Sequence, residues 1–397
     1  MLRNIGKVMS HIPGKARDLH TYIAAHDYWM HGSPENLKRF LCLLIDRYVP
    51  SCTVKLPQQE VIQFPNAALY HPDAEAPFAD LAAYRKWRQS RRTKFPNGAV
   101  GLLSLRTVIV AKNTAHLDAL IRNLEGRGIE VRCGYSAGLD FRPAIDAFYM
   151  ENGATTVDVL LNDAGFSLIG GMAESRPEEA RAALEKTDIG YLDLIPLSFQ
   201  RVEEWRIDDT GLSPIQLAMN VAVPELDGSA EPLVIGGPTA ESETFVALPE
   251  QITMTADRIV KRVALNRAKN ADKRVGIVLF NFPPNLGNAG TAAYLNVFAS
   301  VHRLLTQMRA EGYTVVIPET PESLRRQIVD GNALRHGWQC PCAFCHHGLQ
   351  AAVPRLHRYR AVLGTGTGAT AHRWQSISDS WGAVWQCIHR ATTEFRL

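Results

Sequence analysis

Apolar positions change their spacing twice along this chain. Between Asp18 and Met30 aromatic and aliphatic residues recur at mixed steps of three and four. SPENLKRFLCLLIDRY then opens with Ser33 as a cap and Pro34 in the first turn, so residues 1–50 read as a helical segment. Residues 51–97 are Pro-rich and irregular and read as a linker, with one short extended piece in QQEVIQFPNAALYHP. From Gly98 short apolar runs alternate with amphipathic stretches. GAVGLLSLRTVIV predicts a strand, HLDALIRNLEGRG a helix closed by Gly126 and Gly128, and IEVRCGYSAG a second strand. RPAIDAFYMENG, VDVLLNDAG, PEEARAALEKTD and IGYLDLIPL continue as helix, strand, helix and strand. Strict rotation of this kind argues for a parallel sheet covered on both faces, a doubly wound domain over 98–205.

A second, incomplete α/β domain is expected over 206–337. IQLAMNVAVPELDG and EPLVIGG read as strands, TADRIVKRVALNRAKN as a basic amphipathic helix, and KRVGIVLFNFPPN as a buried strand ending in a Pro-Pro turn. GTAAYLNVFASVHRLLTQMRAEGY sets Tyr294, Phe298, Val301, Leu305 and Met308 on one helical face, and TVVIPET returns as a strand. The expected fold class is α/β: a helical N-terminal segment followed by two doubly wound, mainly parallel α/β units. Ligands of such sheets sit outside the carboxyl ends of the strands, which singles out the loops PELDG, FNFPPNLGNAGT and NDAGFSLIGG.

Composition narrows the classes. The chain has 397 residues, and 43 Lys+Arg against 40 Asp+Glu leaves +3, which does not describe a nucleic-acid binder. With 46% hydrophobic and 21% charged residues a mostly disordered chain is excluded. No apolar run approaches the roughly 20 residues that span a bilayer, and the first residues lack a secretory apolar stretch, so the cytoplasm is the expected compartment.

Candidate chemistry sits in two loops, each with a plainer reading beside it. FNFPPNLGNAGT places Asn281, Asn285, Asn288, Gly290 and Thr291 between a strand and a helix, where free backbone amides suit a carboxylate or phosphate; a connecting Gly-rich cap would look the same. PELDGSAEP gathers Glu225, Asp227 and Glu231, read as the end of a strand. Clustered carboxylates can act as general bases or guide a divalent cation, and they can equally form a polar turn. His71 and His116 read as turn or packing residues. CPCAFCHH, from Cys340 to His347, has poor zinc spacing, and no Walker loop, G-x-S-x-G elbow or H-E-x-x-H occurs.

The strings GLDFRPAI, VDVLLNDAGFSLIGG, PLSFQRVEEW, GLSPIQLAMNVAVPELDG and FNFPPNLGNAGTAAYLNVF resemble the magnesium chelatase H-subunit family. The resemblance extends to the broader family that contains the large subunit of aerobic cobaltochelatase, and it runs from about Leu2 to Gly337. It implies ATP-driven insertion of Mg²⁺, the substrate ion, into protoporphyrin IX on the way to chlorophyll or bacteriochlorophyll. It also implies a metal–nitrogen ligase whose ATP is hydrolysed on two AAA+ partner subunits, which agrees with the missing Walker loop. The family's chains are longer at both ends, so this chain alone is expected to be inactive. The resemblance locates the loops, and chemistry suggests roles within them. Glu225 and Glu231 are the candidate catalytic bases, Glu225 and Asp227 candidate transient Mg²⁺ ligands, and Asn281, Asn285, Asn288, Gly290 and Thr291 the candidate seat of a porphyrin propionate. A cobaltochelatase large subunit and a non-catalytic tetrapyrrole-binding fragment are the alternatives.

A compositional break falls at Trp338. From Trp338 onward lie Cys340, Cys342, Cys345 and Cys387, four of the seven tryptophans, no lysine, and only Asp379 and Glu394 as acids. Back-translation read one nucleotide later can turn 361–374 into SWAPAPGQRHTDG and 382–397 into GQFGNVFIGQQPSFGY, both resembling the family's own continuation. Residues 338–397 are therefore expected to be a frame-shifted, non-native tail.

Overall fold

The computed structural model describes residues 15–336, apart from 92, 172–173, 278, 280–290 and 293–294. The tail expected to be out of frame lies outside the described residues. The chain divides into two units, Met1–Arg267 and Ala268–Leu397.

The first unit opens with helices α1 (Lys15–Met30) and α2 (Pro34–Tyr48). The Ser33 side chain accepts a hydrogen bond from the Asn36 amide at 3.1 Å, and Pro34 fills the first turn, as the sequence predicts. The stretch expected as a linker is built into the unit. Buried Asn36 donates to the Ile62 carbonyl at 2.9 Å and accepts from its amide at 2.9 Å. Residues beyond supply strand β1 (Ala67–Tyr70) and helix α3 (Leu81–Ser90). On α3, Arg88 is nearly buried against the rings of Tyr84, Trp87 and Phe95 and pairs with Glu125. His71 packs at a tilt against Trp87, ring centroids 4.8 Å apart, and stands 3.2 Å from the same carboxylate, and burial and the Arg88 charge hold its pKa down to about 3. The Pro-rich composition concealed this aromatic packing.

One seven-stranded sheet forms the centre. β2 (Ala99–Leu105), β3 (Glu130–Ser136), β4 (Val159–Asn162), β5 (Gly190–Pro196) and β6 (Ala230–Gly237) run parallel, flanked by antiparallel β1 and β7 (Val246–Ala247). The order is β1-β3-β2-β4-β5-β6-β7. Helices α4 (Ala115–Gly126) and α8 (Pro249–Arg267) bury Leu120, Leu124, Ile252 and Ile259 on one face. On the other, α3, α5 (Arg142–Phe148) and α6 (Pro177–Glu185) bury Tyr84, Phe148 and Ala180. The α/β class, with a mostly parallel sheet covered on both sides, is as expected. The expected boundary at 205/206 is not where the sheet divides: β6 pairs in parallel with β5, so strands from both sides of it share one ladder.

A second difference decides where the acidic loop lies. SPIQLAMNVAVPELD, expected as a strand, is helical: Pro214–Leu217, a π turn at Ala218–Ala222 and Val223–Asp227, together α7. The alternation Ile-Gln-Leu-Ala-Met-Asn-Val suggests period two. Ser213-Pro214 is nevertheless a helix start, and Gly228, at φ +106°, is the left-handed stop that glycine adopts without strain.

In the second unit α9 (Val297–Ala310) is capped by the Asn296 side chain, which accepts from the Ala299 amide at 3.1 Å. With α10 (Pro321–His336) it buries Leu305, Met308 and Leu324 against Val275, Ile277, Val315 and Ile317. The last four come from the segments expected as strands. Their alternation survives as burial, but no ladder joins them among the described residues.

Candidate functional site

Sheet order reverses between β2 and β4, so the crevice at their carboxyl ends is the natural ligand seat of this topology. Here the protein's own side chains fill it. Ser104 donates to Asp163 at 3.0 Å, and His116 Nε2 lies 3.4 Å from the other Asp163 oxygen, with both the histidine and the aspartate side chains fully buried. The Phe245 ring meets His116 edge-on at 5.2 Å. A Cβ at Gly236 would come within 2.5 Å of the Val246 carbonyl oxygen and 2.7 Å of the His116 Cβ, so only glycine fits there. His116 is thus a packing residue, as its sequence context suggests. Next to it Asp193 lies in register with Asn162, whose amide donates to it at 3.2 Å. Burial, then the neighbouring Asp163 charge, pushes the Asp193 pKa well above the carboxylate range.

Open space lies in the loops beyond those ends. A groove of about 680 Å³ runs between the loop after β3 and the NDAGFSLIGG loop after β4, lined by Leu139, Phe166 and Ile169 with Asp140 and Arg176 at its rim. Three buried side chains of α7 pin the loops here. Gln216 donates to the Pro196 carbonyl at 3.1 Å and accepts from the Phe199 amide at 3.2 Å. Asn220 donates to the Gly165 carbonyl at 2.5 Å, and Asp227 accepts from Ser167 Oγ at 2.8 Å and the Leu168 amide at 2.7 Å.

The three expected carboxylates are thereby separated. PELDG ends a helix and leads into the amino end of β6, not the carboxyl end of a strand. Glu225 is exposed, while Asp227 is 1% exposed and committed to the β4 loop. Burial raises its pKa more than its two hydrogen bonds lower it. The two therefore face different ways and do not form the shared cation site expected from their spacing. Glu231 has φ +52°, beside a register shift in β6, and is held by Arg262 and, at 3.9 Å, Arg258. A pocket of about 450 Å³ opens at this amino edge, lined by Arg181, Glu185, Tyr191, Asp227 and Arg262 among others. Among the described residues no group of three His, Cys, Asp or Glu is placed to hold a metal ion. Asn281, Asn285, Asn288 and Gly290 lie outside the described residues. Thr291 begins a two-residue strand that pairs with Leu295–Asn296.

Comparison with known proteins fixes the family. The profile described as CobN/Magnesium Chelatase matches residues 26–395. The chain belongs to the CobN/magnesium chelatase family. Within it, the chain is 37% identical over 356 residues to the magnesium-chelatase H subunit of Rhodobacter capsulatus, covering 85% of this chain and 29% of that protein. It is 35% identical over 340 residues to the chloroplastic magnesium-chelatase protein ChlH of Oryza sativa subsp. indica, covering 83% and 24%. Identity to the aerobic cobaltochelatase protein CobN of Pseudomonas aeruginosa is 30% over 292 residues, covering 70% and 22%. The chain thus spans less than a third of the length of each of these relatives. The fold is shared with the catalytic subunit of cobaltochelatase from Mycobacterium tuberculosis, at TM-score 0.55 and 24% identity over 80% of this chain and 25% of that one.

Family membership supports the resemblance read from PELDG and the NDAGFSLIGG and GNAGTAAYLNVF strings. Gln216, Asn220, Ser167 and Asp193 went unremarked in the sequence. The available signal was Ser213-Pro214 and Gly228, which bracket α7 and put Gln216, Asn220 and Asp227 on one helical face. No described helix is long and apolar enough to cross a membrane.

Proposed function

We propose that this chain is a segment of a magnesium chelatase H subunit, which inserts Mg²⁺ into protoporphyrin IX while two AAA+ partner subunits hydrolyse ATP. The observation that carries the choice of metal is the identity of 37% and 36% to two bacterial H subunits against 30% to CobN. Mg²⁺ gives up water reluctantly and two pyrrole N–H protons leave as it enters, so the reaction needs oxygen ligands and a base beside a partly dry cleft. Glu225 is the residue best suited to be that base, because it is exposed and free of the ties that hold Asp227 and Glu231. The loop with Asn281, Asn285, Asn288, Gly290 and Thr291 is proposed to receive a propionate. The compartment proposed is the cytoplasm.

Chelation assays on a complete subunit carrying this segment, with both ATPase partners and Mg-ATP, test the proposal. Turnover of protoporphyrin with Mg²⁺ is expected. Turnover only of a corrin with Co²⁺ would move the chain to the cobaltochelatase branch, and no metal insertion into either would leave a non-catalytic fragment. The chain by itself is expected to show no turnover.

A further inference from the structure

The pocket of about 450 Å³ at the amino ends of β5 and β6 lies at the edge of the sheet opposite the carboxyl-end loops, and its charges point one way. Both arginines of its lining are engaged: Arg181 pairs with Glu178 at 2.9 Å, and Arg262 with Glu231. Glu185 and Asp188, in the same lining, are exposed, and their side chains make no hydrogen bond or ion pair among the described residues. Two helices also end here, α6 at Glu185 and α7 at Asp227. The carboxyl end of a helix carries roughly half a negative elementary charge, so Glu185 stands at a pole that favours a cation. Two further groups of the lining are more than nine-tenths buried. The Tyr191 hydroxyl, on a residue 5% exposed, has no hydrogen-bond partner, and Asp227, 1% exposed, holds the β4 loop through Oδ2 while Oδ1 has none. Buried polar atoms are paired as a rule, and unpaired ones beside an open pocket point to a ligand.

We propose that this pocket binds a guanidinium group, carried either by a small free amine or by the arginine side chain of a partner. Glu185 and Asp188 meet its charge at the rim, and the Tyr191 and Asp227 oxygens accept from its remaining N–H groups. Half-buried Leu184 and Ile189, also in the lining, flank its alkyl stem. A guanidinium presents five N–H donors in a rigid plane, which suits acceptors spread over several elements better than a point charge does. A bare metal ion fits less well. The pocket is far larger than one ion, and among the described residues no three His, Cys, Asp or Glu converge on a metal position. An anion would face two unpaired carboxylates and two helix carboxyl ends. The proposal does not depend on the chelatase reading, since none of it involves Glu225 or the loops after β3 and β4.

Calorimetric titration of the whole chain with agmatine, an alkyl guanidine, and separately with N-acetylarginine amide tests the proposal. Saturable binding is expected. Tighter binding of agmatine assigns the site to a free amine, and tighter binding of the arginine amide assigns it to a partner's side chain. The double variant Glu185→Gln, Asp188→Asn should weaken binding about tenfold and Tyr191→Phe about threefold, the scale of lost charge-assisted and neutral hydrogen bonds. Asp188 has φ +49°, a conformation asparagine also adopts, and Tyr191→Phe removes a hydroxyl that has no partner, so urea midpoints should stay in place. The double variant lies wholly at exposed positions and decides alone should Tyr191→Phe not fold. Glu241→Gln, an exposed acid outside the lining, should leave binding unchanged. Four results would overturn the site: no saturable binding of either probe, binding indifferent to the double variant, an equal loss in Glu241→Gln, or displacement of agmatine by an equal concentration of Mg²⁺.

Discussion

Two carboxylates a single residue apart, Glu225 and Asp227, occupy opposite sides of α7 and different media. The inward side is buried, and there Asp227, Asn220 and Gln216 hold the loops after β4 and β5. The outward side, with Glu225, is exposed, and its side chains make no hydrogen bond or ion pair among the described residues. The contrast teaches that an acidic motif cannot be assigned a role as a unit. The buried side makes a carboxylate structural, and only the exposed side leaves one available for chemistry.

The largest effect that can break this contrast is on stability. Asp227→Ala leaves the buried Leu168 amide without its acceptor, while Ser167 Oγ can still donate to the Ile169 carbonyl, and the loss is expected to be about 1–3 kcal/mol in urea unfolding. Glu225→Ala should leave the urea midpoint in place. Equal losses in both variants would erase the distinction between the two sides.

A pH series sharpens it further. The Asp193 pKa is raised in the folded state, so its contribution to stability is fully present below the unfolded aspartate value and is lost as pH rises through the folded one. Asp193→Asn keeps the acceptor for Asn162 and removes the ionisation. Its midpoint should match the parent at low pH and exceed it increasingly above the ordinary aspartate range. A constant offset would mean that Asp193 does not titrate against folding.

The smallest effect belongs to Glu231. Its partners Arg258 and Arg262 are half-exposed, and exposed pairs of this kind contribute about 0–1 kcal/mol. Glu231→Gln should therefore move the midpoint by no more than that. A larger loss would make the bulge at the start of β6 a structural centre.

The α/β class was legible because buried parallel strands such as VDVLLN and IGYLDLIPL are nearly continuous apolar runs between amphipathic helices. Helix α7 was not, since the local alternation Ile-Gln-Leu-Ala-Met-Asn-Val mimics the period of a strand. Its caps remained as the usable signal. The short extended piece read in QQEVIQFPNAALYHP holds the edge strand at 67–70, but helix α3 was hidden, because Pro-rich surroundings mask packing that depends on distant rings and on Glu125. The acidic loop itself was legible as residues and misread as geometry, because taking α7 for a strand put PELDG at the wrong edge of the sheet. The tail raises a question of a different kind. The profile match runs to residue 395, across the break at Trp338, and the alignments to the H subunit and to ChlH cover 85% and 83% of this chain. The nucleotide sequence decides the question: the frame-shift reading requires the codons of 361–374 and 382–397 to give the two family-like strings one nucleotide later.

Whether Glu225 is the chemical carboxylate is the central claim, and one comparison tests it most directly. In a complete subunit carrying this segment, chelation rate and protoporphyrin affinity are measured side by side for the parent and Glu225→Gln. A base acts in the transition state more than in the ground state, so the rate should fall by roughly 10²-fold or more with affinity nearly unchanged. An unchanged rate would contradict the account and leave the outward end of α7 as a turn.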